Sequence, residues 1–149
     1  MTTIESLYTD ESVEKRKNQE DPIILYMVVR KSLNMSIGKT AAQCSHGSMM
    51  ATLKYFHLLN DINTKQSEFA LIDIFGEWLH NSFRKVVLGA DENHWLKLEK
   101  YYEDKPGQLI TVTDAGLTEI PAQTDTVRVI WPMRKSEAPQ VIKKLQALK

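Results

Sequence analysis

Ile23-Ile24-Leu25-Tyr26-Met27-Val28-Val29, followed across a short loop by Ser36-Ile37-Gly38-Lys39-Thr40-Ala41-Ala42, decides the fold. The first seven residues are an unbroken apolar, largely β-favouring run. That is the pattern of a strand buried on both faces. Ser36 is a helix N-cap residue. Beyond it Ala41, Ser45, Met49, Leu53 and Phe56 recur at spacings of four and three, so a helix is predicted with those five on its buried face. Its first turns are rich in small residues, including Gly38, Ala42, Gly47 and Ser48, which let a helix lie close to a sheet.

The same alternation continues downstream. Asn60 to Gln66 reads as a loop, and Phe69, Ile72, Phe75 and Leu79 mark a second helix. Lys85-Val86-Val87-Leu88 is a second strand, and Asp91 can cap a helix carrying Trp95, Leu98 and Tyr102. Pro106-Gly107 ends that helix. Leu109 to Thr113 is a third strand ending at Asp114; Thr126 to Trp131 is a fourth, stopped by Pro132. Ser136 can cap a last helix that buries Val141, Ile142, Leu145 and Leu148. The order is β-α-α-β-α-β-β-α. Helical crossovers imply parallel neighbours, and the short link between strands three and four permits an antiparallel pair. The expected fold is α/β: a single domain with a mixed four-stranded sheet and helices on both faces. It spans residues 22–149, and residues 1–21 form a polar tail expected to be mobile.

Composition excludes several classes. Lys and Arg total 19 and Asp and Glu total 19, so the formal net charge is zero and a general nucleic-acid-coating protein is excluded. A local basic patch is not. Cys44 is the only cysteine, which rules out an internal disulfide and a cysteine-based zinc site and fits a reducing compartment. The polar start lacks the apolar core of a secretory signal, and no apolar run approaches the roughly 20 residues of a membrane span. A soluble, cytoplasmic protein with no membrane partner is expected.

In open α/β sheets, sites form beyond the carboxyl ends of parallel strands. Lys39 opens the helix after strand one, and Asp114 ends strand three. Thr118 lies in the loop leaving that rim, and Thr126 begins strand four. The topology therefore collects all four on one rim. Lys39, Gln43 and His46 also share one helix face. Singly, each has a plainer reading: a solvated lysine, a turn aspartate, β-forming threonines, a packed histidine. Their joint placement is what points to a site.

Ser36 to Thr40 after a buried strand imitates the end of a phosphate-binding P-loop. However, G-x-x-x-x-G-K-[ST] needs glycine at position 33, where Leu33 stands, and without it the loop cannot curl its N–H groups around a phosphate. No G-x-S-x-G elbow and no H-E-x-x-H motif is present.

The motif V-V-R-x-x-L-x-M-x-x-G-K-x-A-A-Q-x-x-H is carried by Val28, Val29, Arg30, Leu33, Met35, Gly38, Lys39, Ala41, Ala42, Gln43 and His46. With Asp114-Ala115-Gly116-x-Thr118 and Thr126-Val127 downstream, it resembles the signature of type 2 peptidyl-tRNA hydrolases. The likeness covers about residues 23 to 149. The chain departs from the family pattern at Ser32 (usually aspartate), Leu117 (arginine), Gln123 (glycine) and Trp131 (glycine), and in a longer stretch between His46 and Lys85. The resemblance implies hydrolysis of the ester between peptide and tRNA, with Lys39, Asp114, Thr118 and Thr126 catalytic and no metal or cofactor. It implies tRNA as partner and a homodimer. Gln43 and His46 would contact substrate, and Arg30, Lys31, Arg84 and Lys85 are candidate phosphate contacts. The alternative is a non-catalytic tRNA-, RNA- or protein-binding module on the same fold.

Overall fold

The computed structural model describes residues 9–149. Its elements are α1 (Asp10–Lys17), β1 (Ile23–Arg30), α2 (Ile37–Asn60), α3 (Phe69–Glu77), β2 (Arg84–Ala90), α4 (Glu92–Tyr102), β3 (Leu109–Asp114), β4 (Thr124–Arg134), α5 (Gln140–Lys143) and β5 (Gln146–Ala147). Of the expected tail, residues 1–8 lie outside the described residues. α1 follows them, and the carbonyl of Arg16 accepts a hydrogen bond from the Arg84 guanidinium.

The sheet order is β3-β4-β1-β2-β5. β1 and β2 are parallel, while β4 runs against both β1 and β3. β1 and β3 therefore point the same way. β1 is buried along almost its whole length because its alternate residues feed two cores. Leu25, Met27 and Val29 pack with Ala51 and Tyr55 of α2 and Phe75 of α3; Ile24, Tyr26 and Val28 pack with Trp95, Leu98 and Tyr102 of α4 and Ile142 of α5.

The structure departs from expectation in three regions, the first of them the chain end. The sheet has five strands, not four. A helix from Ser136 fails because Pro139 forces Ala138 out of the helical region, to φ −59°, ψ 126°. Only the single turn of α5 forms after it. The chain end then pairs with the open edge of β2, where Leu148 N–H meets the Val87 carbonyl at 3.0 Å. Covering an unpaired edge is the gain.

Second, β4 does not stop at Pro132. The register between β1 and β4 slips there, with Ile24 opposite Met133 but Tyr26 opposite Ile130. Pro132 thus sits at an irregularity, where proline's missing N–H is tolerated.

Third, α2 buries Gln43, Gly47, Ala51, Tyr55 and Leu58, and exposes Met49, Leu53 and Phe56. Close approach decides this. A Cβ on Gly47 would lie 2.5 Å from a methyl of Val129, so only glycine lets α2 settle on β3 and β4.

Trp131, at a usual family glycine, is only 3% exposed. Its ring centroid lies 4.8 Å from that of Phe75, and its indole N–H donates to the Leu71 carbonyl at 2.8 Å. Both partners belong to the longer stretch between His46 and Lys85. The two departures form one structural feature, since the added bulk on β4 is what anchors α3.

Candidate active site

The site is built where α2 begins above the carboxyl ends of β1 and β3. Ser36 caps α2 by accepting the Lys39 backbone N–H at 3.2 Å, which places Lys39 in the first turn, over the rim. The Lys39 ammonium donates to Asp114 Oδ1 at 2.6 Å and to Thr118 Oγ1 at 2.8 Å. The Lys39 and Asp114 side chains are 10% and 6% exposed. A charge pair so withdrawn from water is tolerated only when the remaining valences are met. For the carboxylate they are: Gln43 Nε2 donates to Asp114 Oδ1 at 3.0 Å, and the Gly116 N–H donates to Oδ2 at 2.7 Å.

Thr126 stands one layer behind. Val112 pairs with Val127 but Thr113 pairs with Asp125, so Thr126 is the extra residue of a β-bulge. The bulge turns its side chain toward α2, where its hydroxyl donates to Gln43 Oε1 at 2.5 Å. Thr126 is fully buried. It orients Gln43, which in turn orients Asp114.

The Lys39 hydrogen bond holds the Asp114 carboxyl below the usual aspartate range, helped by the Gly116 N–H and Gln43; burial pushes the other way and loses. Asp114 is therefore a carboxylate in this state, and a weaker base than a dry aspartate would be. The network opens into a cleft of about 460 Å³ lined by Lys39, Gln43, His46, Asp114, Leu117 and Thr118. It offers an ammonium for a developing oxyanion, and a carboxylate with a hydroxyl to hold a water beside it.

A family model described as "Peptidyl-tRNA hydrolase PTH2" matches residues 23–148. The chain belongs to this family. It is 36% identical to a peptidyl-tRNA hydrolase of Thermococcus onnurineus over 107 residues, covering 71% of this chain and 80% of that one. It is 34% identical to a peptidyl-tRNA hydrolase of Methanopyrus kandleri over 124 residues, covering 83% and 96%. Similarity extends to the mouse protein named "Peptidyl-tRNA hydrolase 2, mitochondrial", at 31% over 109 residues, covering 72% of this chain and 54% of that one.

Set against the family signature, the structure brings together Lys39, Gln43, His46, Asp114 and Thr118 at the cleft, with Thr126 behind them. Arg30 is on the same rim, but its guanidinium is engaged by Glu92 at 2.8 and 3.0 Å. Ser32 donates to the same Glu92 carboxylate. An aspartate at 32 would face that carboxylate with like charge, so serine is matched to Glu92. Lys31 is exposed beside it, with its stem against Gly89.

Arg84 and Lys85 lie elsewhere. β2 is parallel to β1, with Arg84 opposite Ile24 and Ala90 opposite Arg30. Six residues of strand, about 20 Å, separate them from the site. The Lys85 ammonium sits 3.3 Å from the Phe83 ring centroid, half-buried, and burial lowers its pKa.

Sequence reasoning missed two contributors to this geometry, Glu119 and the Gly116 N–H. Gly116 has φ +78°, and a Cβ there would lie 2.4 Å from Ala122 N. Its place in D-A-G was legible, but its bond to Asp114 was not.

Proposed function

We propose that this chain hydrolyses the ester joining a peptide to the terminal ribose of tRNA, releasing free peptide and reusable tRNA. One observation carries the reading: Lys39, Asp114 and Thr118 are in mutual contact at an open cleft in a chain of this family. Asp114 and Thr118 orient the attacking water; as its oxygen bonds the carbonyl carbon its proton passes to the Asp114 carboxylate, and when the ester C–O bond breaks that proton goes to the leaving ribose oxygen. Lys39 exchanges part of its contact with Asp114 for the oxyanion of the tetrahedral intermediate, where its charge is most needed. Gln43 fixes the Asp114 carboxylate, and Thr126 acts only through Gln43. His46, exposed at the cleft, contacts the substrate on one side. Lys31 and Arg30 meet tRNA phosphates on the same rim, and Arg84 and Lys85, about 20 Å of strand away, would meet phosphates farther along the tRNA.

The test is release of acetylated amino acid from N-acetyl-aminoacyl-tRNA by purified protein. Asp114→Asn should lower kcat at least about 100-fold, the size expected on losing a group that handles the water proton. Its tRNA affinity should stay close to that of the wild type. Wild-type protein that binds tRNA but releases nothing would establish a binding module instead.

A homodimer in the cytoplasm is proposed with this activity. The support for a dimer is the outward face of α2, where Met49, Leu53 and Phe56 form an exposed row without a charged side chain. A single row on one helix is self-complementary about a twofold axis. Sedimentation of the wild type against Leu53→Glu checks it, and a wild-type monomer would refute it. A chain with Cys44 as its only cysteine suits the reducing cytoplasm.

A further inference from the structure

The 115–123 loop carries Thr118 and is tied down at three places. Its neck is closed by the Gln123 N–H donating to the Asp114 carbonyl at 2.7 Å, and Ile120 is buried beneath it. At its crest Glu119 reaches across to the start of α2. The Ser36 N–H donates to Glu119 Oε2 at 3.0 Å, and the Ser36 hydroxyl donates to Oε1. Ser36 is the same residue whose oxygen accepts the Lys39 N–H. A closed ring results: Ser36 to Glu119, along the chain to Thr118, across to the Lys39 ammonium, and back through the first turn of α2 to Ser36.

We propose that Glu119 is a positioning residue for the reaction. Its carboxylate clamps the loop to the cap of α2 and so fixes Thr118 and Lys39 against each other. The inference rests on the proposed ester hydrolysis and assigns a role to a residue at the edge of the cleft whose carboxylate is turned to Ser36. Without the clamp, Thr118 hangs on the exposed arc of a loop. Lys39 could then follow Asp114 alone, and the water site between the ammonium and the two oxygens loses its spacing. Misplacement by about 1 Å at such a site costs on the order of 100-fold in rate. The carboxylate is also well suited to its place, because the N-terminus of a helix attracts negative charge.

The experiment compares kcat, KM and melting temperature of full-length wild type, Glu119→Ala, Glu119→Gln, Ser36→Gly and the double variant Glu119→Ala/Ser36→Gly on N-acetyl-aminoacyl-tRNA. Ser36→Gly removes the hydroxyl but leaves a residue nearly as good at a helix cap. Glu119→Ala should lower kcat about 10- to 100-fold, the range for lost positioning. KM and melting temperature should stay near wild type. Glu119→Gln, whose amide oxygen still accepts from Ser36, should recover most of the loss. The double variant should lose less than the product of the two single losses, because the bond between the Ser36 hydroxyl and Glu119 is removed by either substitution. Wild-type kcat in Glu119→Ala would overturn the proposal. So would losses that multiply in the double variant, failure of Glu119→Gln to recover, or a fall in activity matched by a fall in melting temperature. Because wild-type turnover is measured in the same series, failure of the hydrolase reading itself is seen separately.

Discussion

Trp131→Gly tests whether the bulk on β4 anchors the longer central stretch. The indole is 3% exposed, stacks obliquely on Phe75, lies under the Lys54 ammonium and donates to Leu71. A buried tryptophan removes about 150–250 Å² from water, which at about 25 cal/mol per Å² gives roughly 4–6 kcal/mol as an upper bound. Measured losses for such truncations run at about 3–5 kcal/mol, and glycine in a strand adds up to about 1. We expect about 4 kcal/mol. With a urea slope of about 2 kcal/mol per M, the unfolding midpoint should drop by about 2 M. The variant should still fold, since domains of this size have about 7–15 kcal/mol in hand. Hydrogen exchange should then rise most in Phe69–Glu77, because Leu71 and Phe75 lose their contact. Turnover should stay within about threefold of wild type, because Trp131 lies near the start of β3, about 20 Å of strand from Asp114. A loss below about 1.5 kcal/mol, well short of a cavity effect, would refute the reasoning. So would exchange that rises equally in α3 and in the first turns of α2.

Other perturbations read other links. Thr126→Val keeps the shape but deprives Gln43 Oε1 of its donor; we expect about 1–3 kcal/mol of lost stability and a fall in kcat of about tenfold, and an unchanged kcat would show that Gln43 needs no such support. Glu92 is pulled from 4.5 to about 2, first by its hydrogen bonds from Arg30 and Ser32. Its folded-state pKa is depressed, so its contribution to stability is full above pH 4.5 and fades as pH falls toward 2. Urea midpoints of wild type and Glu92→Gln should therefore converge across that window, and parallel pH slopes would sink the idea. Gln123 occupies the left-handed region at φ 61°, and Gln123→Gly should stabilise by up to about 1 kcal/mol in thermal unfolding, strain relief outweighing the added freedom of the unfolded chain.

Much of this protein was legible where local chemistry and topology agree. Ser36 and Asp91 cap the helices they were expected to cap, and strand order alone collects Lys39, Asp114 and Thr118 on one rim. What escaped depends on contacts between distant segments. Nothing local marks Thr126 as a bulge residue, because the extra residue exists only relative to β3. Nothing local pairs Glu119 with Ser36, and the edge that draws Gln146–Ala147 into the sheet belongs to β2.

The misread face of α2 is the most instructive case, because the site itself explains it. The expected row Ala41-Ser45-Met49-Leu53 and the observed row Gln43-Gly47-Ala51-Tyr55 differ by two residues, about 200° around the helix. Apolar content favours the first row, with Met49, Leu53 and later Phe56. The second row places a glutamine against the sheet. Such burial is tolerable only if both ends of the amide are bonded, and both are, to Asp114 and Thr126. Gly47, with no side chain to clear Val129, then lets the helix approach closely enough for those bonds to form. The helix is thus rotated to complete the polar network at its start, and it leaves Met49, Leu53 and Phe56 in water. A periodicity argument weighs apolar positions alone and must choose the wrong face here. The row it would have buried is the one left outside as the candidate dimer surface.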